Sequence, residues 1–144
     1  MMTSYHKTEG WEQALRAWAD ELLGAPFRWG ESDCAIMCAK AFDAMTGSEF
    51  AEPLRGSYSS FRSAVRYQRQ HDLWHGLLKA GCRALPSPLL MSTGDFVISF
   101  KRGLFCGSVC FGEVSLSSTE SSGVVLLNTD LLLSAEPLRV LRID

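Results

Sequence analysis

A tight turn that delivers a cysteine to the first turn of a helix is the arrangement in this chain with the most chemical potential. The stretch Pro26-Phe27-Arg28-Trp29-Gly30-Glu31-Ser32-Asp33-Cys34 reads as a glycine turn, a cap at Ser32 or Asp33, and a helix opening at Cys34. The macrodipole and unpaired amides of a helix start favour a thiolate, and the same amides can receive the oxyanion of an acyl transfer. Cys34 is therefore the candidate nucleophile, better placed than Cys38, Cys82, Cys106 or Cys110. The competing reading needs no chemistry, because cysteine is also a small residue that packs well in interiors.

A thiol nucleophile needs a base, and the chain offers His6, His71 and His75. His71 and His75 lie four apart in a helical stretch, which would suit a metal pair, but the sequence sets no acidic or cysteine partner beside them. Histidines on a surface are expected instead. Cys34-x-x-x-Cys38 and Cys106-x-x-x-Cys110 could supply four thiolates to zinc or an iron–sulfur cluster. The same spacing puts each pair on one face of a helix or a strand, as packing of helix on sheet requires. Packing is the reading adopted, with no metal and no other cofactor expected.

These residues must be positioned by surrounding elements. Trp11, Leu15, Trp18 and Leu22 carry helical spacing, with Thr8 as N-cap and Gly24 and Pro26 closing the pattern. The second helix runs to Met45 with Cys34, Met37, Cys38, Ala41 and Met45 on one face and Gly47 as its stop. Residues 48–60 form a loop holding Pro53 and Arg55-Gly56-Ser57-Tyr58, and Ser59 or Ser60 caps a helix with Phe61, Ala64 and Val65. A shorter helix covers Leu73 to Lys79, and Ala84 to Thr93, with Pro86 and Pro88, reads as a connection. The period then changes to that of strands at Phe96 to Phe100, Phe105 to Phe111, Val124 to Asn128 and Leu138 to Ile143. The expectation is an α+β fold, N-terminal helices packed on a C-terminal antiparallel sheet, as one domain over residues 1–144.

Composition narrows the function classes. A chain of 144 residues with 47% hydrophobic content can bury one domain's core. The formal net charge of -2 gives no electrostatic reason to expect nucleic acid or an anionic membrane. Arg62, Arg66 and Arg69, on one side of a short helix, read as a solvated face. MMTSYHKTEG has no apolar h-region, and no apolar run approaches the roughly 20 residues of a membrane span. Five scattered cysteines do not look like a disulfide framework, so reduced thiols made in a cytoplasm are expected.

Phe27-Arg28-Trp29-Gly30, Asp33-Cys34 and Gly94-Asp95-Phe96-Val97-Ile98 resemble, in order, the signature of the papain-like NlpC-type cell-wall cysteine peptidases. The resemblance spans roughly residues 8 to 143. Asp33-Cys34, Ala44-Met45-Thr46-Gly47 and Leu54-Arg55-Gly56-x-Tyr58 are also similar to small members of that superfamily encoded among tail genes of tailed phages. In the active family the cysteine attacks an amide of a peptidoglycan stem peptide, and a histidine on the strand after Gly-Asp takes its proton. No histidine follows Asp95 here, and alignment on Gly107 or Gly112 puts Phe105 or Cys106 at that position. The family's tyrosine before the tryptophan, near the oxyanion, is Phe27 here and lacks the hydroxyl.

The resemblance therefore implies a catalytically degenerate NlpC-like component of a phage tail, at the tail tip or hub. Cys34 would hold a vestigial nucleophile position beside Asp33, and Cys106 the position of the lost histidine. Its partners would be other tail proteins, engaged through Arg55, Tyr58 and Trp29 or through the outer side of the first helix. Peptidoglycan is the remaining candidate partner. The alternative is an active peptidoglycan endopeptidase or amidase used in entry, with a histidine supplied by a partner.

Overall fold

The structure, a computed structural model, describes residues 4–134 and 138–144. Helices α1 (Trp11–Leu22), α2 (Cys34–Thr46), α3 (Phe61–Gln70) and α4 (Leu73–Lys79) precede most of the strands. The strands are β1 (Cys82–Ala84), β2 (Phe96–Lys101), β3 (Leu104–Cys110), β4 (Val114–Thr119), β5 (Gly123–Asn128) and β6 (Arg139–Ile143), with a short helix α5 (Thr129–Leu133) before β6. They form a six-stranded sheet in the order β1-β6-β2-β3-β4-β5, every neighbouring pair antiparallel. This is the expected mixture of helices packed on an antiparallel sheet.

Helix α2 is the centre of the packing. Met37, Cys38, Ala41, Phe42 and Met45 are fully buried against Phe96 and Ile98 of β2 and Phe105 and Val109 of β3. The fit is close enough that a Cβ added to Gly107 would come within 2.6 Å of Cys38 Sγ. Both ends of α2 follow the sequence: Asp33 caps the start through Ala35 and Ile36, and Gly47 ends it at φ 74°. Ser60 closes the start of α3 in a capping box with Ser63.

Three expectations need correction. Thr8 does not cap α1; Gly10 is the N-cap, and Thr8 ties the approach to the end of α2, its N–H donating to the Met45 carbonyl at 2.9 Å. Strand β4, Val114-Ser-Leu-Ser-Ser-Thr119, was outside every expected strand because its buried side chains are mostly hydroxyls, matched by Thr129, Ser108 and the Ser32 carbonyl. A single 3₁₀ turn, Pro88–Leu90, lies within the expected connection, and strand β1, which no expected element covered, shares only Ala84 with it. Among the described residues no helix is long and apolar enough to cross a membrane.

Candidate functional site

The start of α2 is held by a knot of local hydrogen bonds. The Ser32 hydroxyl donates to the Pro26 carbonyl at 2.6 Å and accepts from the Arg28 N–H at 2.9 Å, which fixes the turn before the helix. Asp33 is only 2% exposed, so its carboxylate must find donors within the fold. One oxygen accepts from the Ala35 and Ile36 amides at 3.1 and 3.2 Å and from the Tyr58 hydroxyl at 2.8 Å; the other accepts from the Gly30 N–H at 2.7 Å. Burial raises the pKa of Asp33, and these four donors oppose the rise.

The loop carrying Arg55-Gly56-Ser57-Tyr58 is the other half of this knot. Gly56 N–H donates to the Gly30 carbonyl at 3.0 Å. A Cβ on Gly30, whose φ is +81°, would lie 2.2 Å from the Tyr58 carbonyl oxygen, so both conformation and closeness require glycine there. Tyr58 is 5% exposed and is not displayed for a partner; its ring packs on Ile36 and Tyr67, and its hydroxyl serves Asp33. Arg55 remains outside, in weak ion pairs with Glu31 and Glu52 at 4.0 and 3.6 Å. Trp29 is half-buried, edge-on to both Phe27 and Phe61.

Across from α2 the sheet is open. Strands β3 and β4 pair at Val109↔Leu116 and Cys110↔Ser115, whereas β2 and β3 pair along their whole length. The backbone of Phe105 therefore lacks a β4 partner, and side chains take its place. Its N–H donates to Gln68 Oε1 of α3 at 2.9 Å, and its carbonyl accepts from Cys34 Sγ at 3.5 Å. Nearby, the Ser118 hydroxyl of β4 donates to the Ser32 carbonyl. The first turn of α2 thus fills the gap in the ladder.

That docking brings Cys34 beside Cys106, and both thiols line the same cleft. Of the two residues that could stand opposite Cys34, Phe105 turns its ring into the core at 2% exposure, and Cys106 faces the cleft. Two connected hollows meet here. One, about 230 Å³, carries Val97, Ser99, Ser108 and Ser117 on its walls; the other, about 640 Å³, is bounded by Phe27, Trp29, Phe61 and Arg102. Cys34, Cys106, Lys101, Ser118 and Thr119 line both.

The electrostatics reverse one expectation. Cys34 at the helix start is not the favoured thiolate: its pKa is held well above the ordinary thiol value, first by the neighbouring Cys106 thiol and then by burial. The amides that would stabilise negative charge there, those of Ala35 and Ile36, are already engaged by Asp33. Cys106 moves the other way, down to about 7, because the neighbouring Cys34 thiol and the charge of Lys101 outweigh its burial. Burial pushes the Cys38 thiol up, and the Cys82 thiol to about 12.

The sequence-based pairing of cysteines is half right. Cys38 and Cys110 are buried core residues; Cys34 and Cys106 are half-buried and face the cleft, and all five cysteines are free thiols. Among the described residues, no group of three or more His, Cys, Asp or Glu is placed to hold a metal ion. His6, His71 and His75 are exposed and line neither hollow; His71 stacks on Tyr67, and His75 pairs with Asp72 at 2.6 Å.

Gln68 and Lys101 were not among the candidate residues. Neither stands out in sequence, one being a polar position on an arginine-rich helix and the other the end of a strand. Asp95 of the Gly94-Asp95 motif is structural: it is fully buried and gripped by both Nε and a terminal nitrogen of Arg142 at 2.9 and 2.8 Å. A search of curated proteins finds no match to the chain. Residues 6–135 match the model of DUF6950, a domain of unknown function, and the chain belongs to that family.

Proposed function

We propose that this is a papain-like, NlpC-type domain that has lost its catalytic imidazole and works as a structural or assembly component of a bacteriophage tail, at the tail tip. It would be made in the host cytoplasm, carried in the virion, and act through contacts with other tail proteins. The observation that carries this reading is the Cys34–Cys106 pair. The helix-start cysteine shares a cleft with Cys106, one of the two strand residues, with Phe105, at which the resemblance allows the missing histidine, and Cys106 is a second thiol.

The chemistry follows from that substitution. A peptidase of this kind needs a group that takes the thiol proton and returns it to the leaving amine, a contribution of roughly 10² to 10⁴-fold. Cys106 ionises near neutrality, but its charge raises the pKa of Cys34 and so opposes the nucleophile it would have to activate. Phe27 stands where the family has a tyrosine near the oxyanion and lacks the hydroxyl donor. What survives is scaffold: the clasp of Gly30, Asp33, Gly56 and Tyr58 and the packing of α2 on the sheet.

The test is to incubate purified protein with peptidoglycan and follow release of stem-peptide fragments. No release above background is expected. Release that disappears in Cys34→Ser would overturn this reading in favour of an active endopeptidase or amidase.

A further inference from the structure

We propose that Cys106 and Cys34 form a thiol–disulfide exchange site for low-molecular-weight disulfides, Cys106 attacking and Cys34 resolving. The inference is independent of any role in a tail. It begins with the gap between β3 and β4, which lets Cys34 Sγ sit on the carbonyl of Phe105, one residue from Cys106. Two cysteines far apart in sequence thereby line one open cleft rather than the core.

The division of labour follows from the surroundings. An attacking thiol is most effective when its pKa lies near the ambient pH, and a resolving thiol needs only to reach the mixed disulfide. Cys106 meets the first condition at about 7, with Lys101 and the Cys34 proton stabilising its charge. Cys34 retains its proton while Cys106 is ionised, since its interaction with Cys106, ahead of burial, raises its pKa. Formation of the mixed disulfide removes that charge. Among the described residues, the remaining charged groups at the cleft are Arg102 and Glu120. Lys101 and Arg102 suit a disulfide bearing carboxylates, such as oxidised glutathione.

The step balances without another reagent. The Cys106 thiolate attacks one sulfur of the small disulfide; its S–S bond breaks and one thiolate leaves. Cys34 then attacks the Cys106 sulfur of the mixed disulfide, the second small thiolate departs, and the Cys34 proton passes to it. The protein is oxidised from two thiols to one disulfide, and one small disulfide is reduced to two thiols.

The experiment exposes the reduced full chain to oxidised glutathione, quenches with alkylating agent, and reads intact mass and the linked peptides. The expected product has lost two hydrogens and joins the Cys34 and Cys106 peptides. Cys34→Ser should stop at a glutathione adduct on Cys106, and Cys106→Ser should react at least about tenfold more slowly. Initial alkylation of Cys106 in the native wild type should rise with a midpoint near pH 7. Adducts confined to Cys38, Cys82 or Cys110, an adduct on Cys106 that never resolves in wild type, or a Cys106→Ser variant that reacts as fast would each overturn the site. The assay contains no peptidoglycan and no tail protein, so its outcome is separable from that of the proposed function.

Discussion

Asp33 spends the helix start that Cys34 was expected to use. Its carboxylate satisfies the Gly30, Ala35 and Ile36 amides and the Tyr58 hydroxyl at once, in a place water hardly reaches. Asp33→Asn keeps one acceptor oxygen but turns an amide group toward the Gly30 N–H, leaving a buried donor facing a donor. The expected loss is about 1–3 kcal/mol of stability, measured by chemical denaturation. A variant as stable as wild type would mean that this network is not what fixes the turn.

The thiols make a second prediction with a definite sign. Between about pH 7 and the ordinary thiol value of 9.0, the unfolded chain keeps the Cys106 proton and the folded protein has released it, so stability rises with pH across that window. Denaturation curves of wild type measured against Cys106→Ala should show this gain, and a pH-independent difference would refute it. Cys82, pushed up to about 12, acts oppositely: above pH 9 the unfolded thiol ionises first, and the folded state loses ground. Sequence alone pointed to Cys34, Asp33 and Cys106 and favoured a thiolate at Cys34, where the neighbouring Cys106 and burial raise the pKa. The helix start was legible; how Asp33 would use its amides depended on the distant Tyr58 loop and was not.

At the scale of elements, legibility tracked how each segment is buried. Helices α2 and α4 and strands β2, β3, β5 and β6 bury apolar faces and were read close to their observed bounds. Strand β4 hides Ser115, Ser117 and Ser118 behind hydroxyl pairings, which no hydrophobic period records. The pairing of β6 beside β2 is reinforced by the Asp95–Arg142 clamp, which also collects the Leu90 carbonyl and the Ser92 hydroxyl. Asp95→Ala removes a fully buried partner and leaves the guanidinium only part-exposed, at 24%. The expected cost is about 3–5 kcal/mol, seen as a large fall in denaturation midpoint. A loss under about 1 kcal/mol would assign the clamp the small weight of a surface ion pair.

At the scale of the whole molecule, the proposed tail role needs a surface, and burial decides which residues can supply it. Tyr58 belongs to the interior, so removing it would test folding rather than docking. Arg55 is exposed, and its ion pairs are long and solvent-facing, so Arg55→Ala should change stability by no more than about 0.5 kcal/mol. The outer side of α1 is the other candidate surface, presenting Glu12, Gln13, Arg16 and Asp20 to solvent. If the domain works by contact, Arg55→Ala combined with Gln13→Ala should melt like wild type yet fail to enter tails when supplied to a phage lacking its own copy. Cys34→Ala, altering a side chain inside the cleft, should assemble normally. Full incorporation and infectivity of the double variant would remove both surfaces from the docking role, and assembly failure of Cys34→Ala with intact folding would move that role to the cleft.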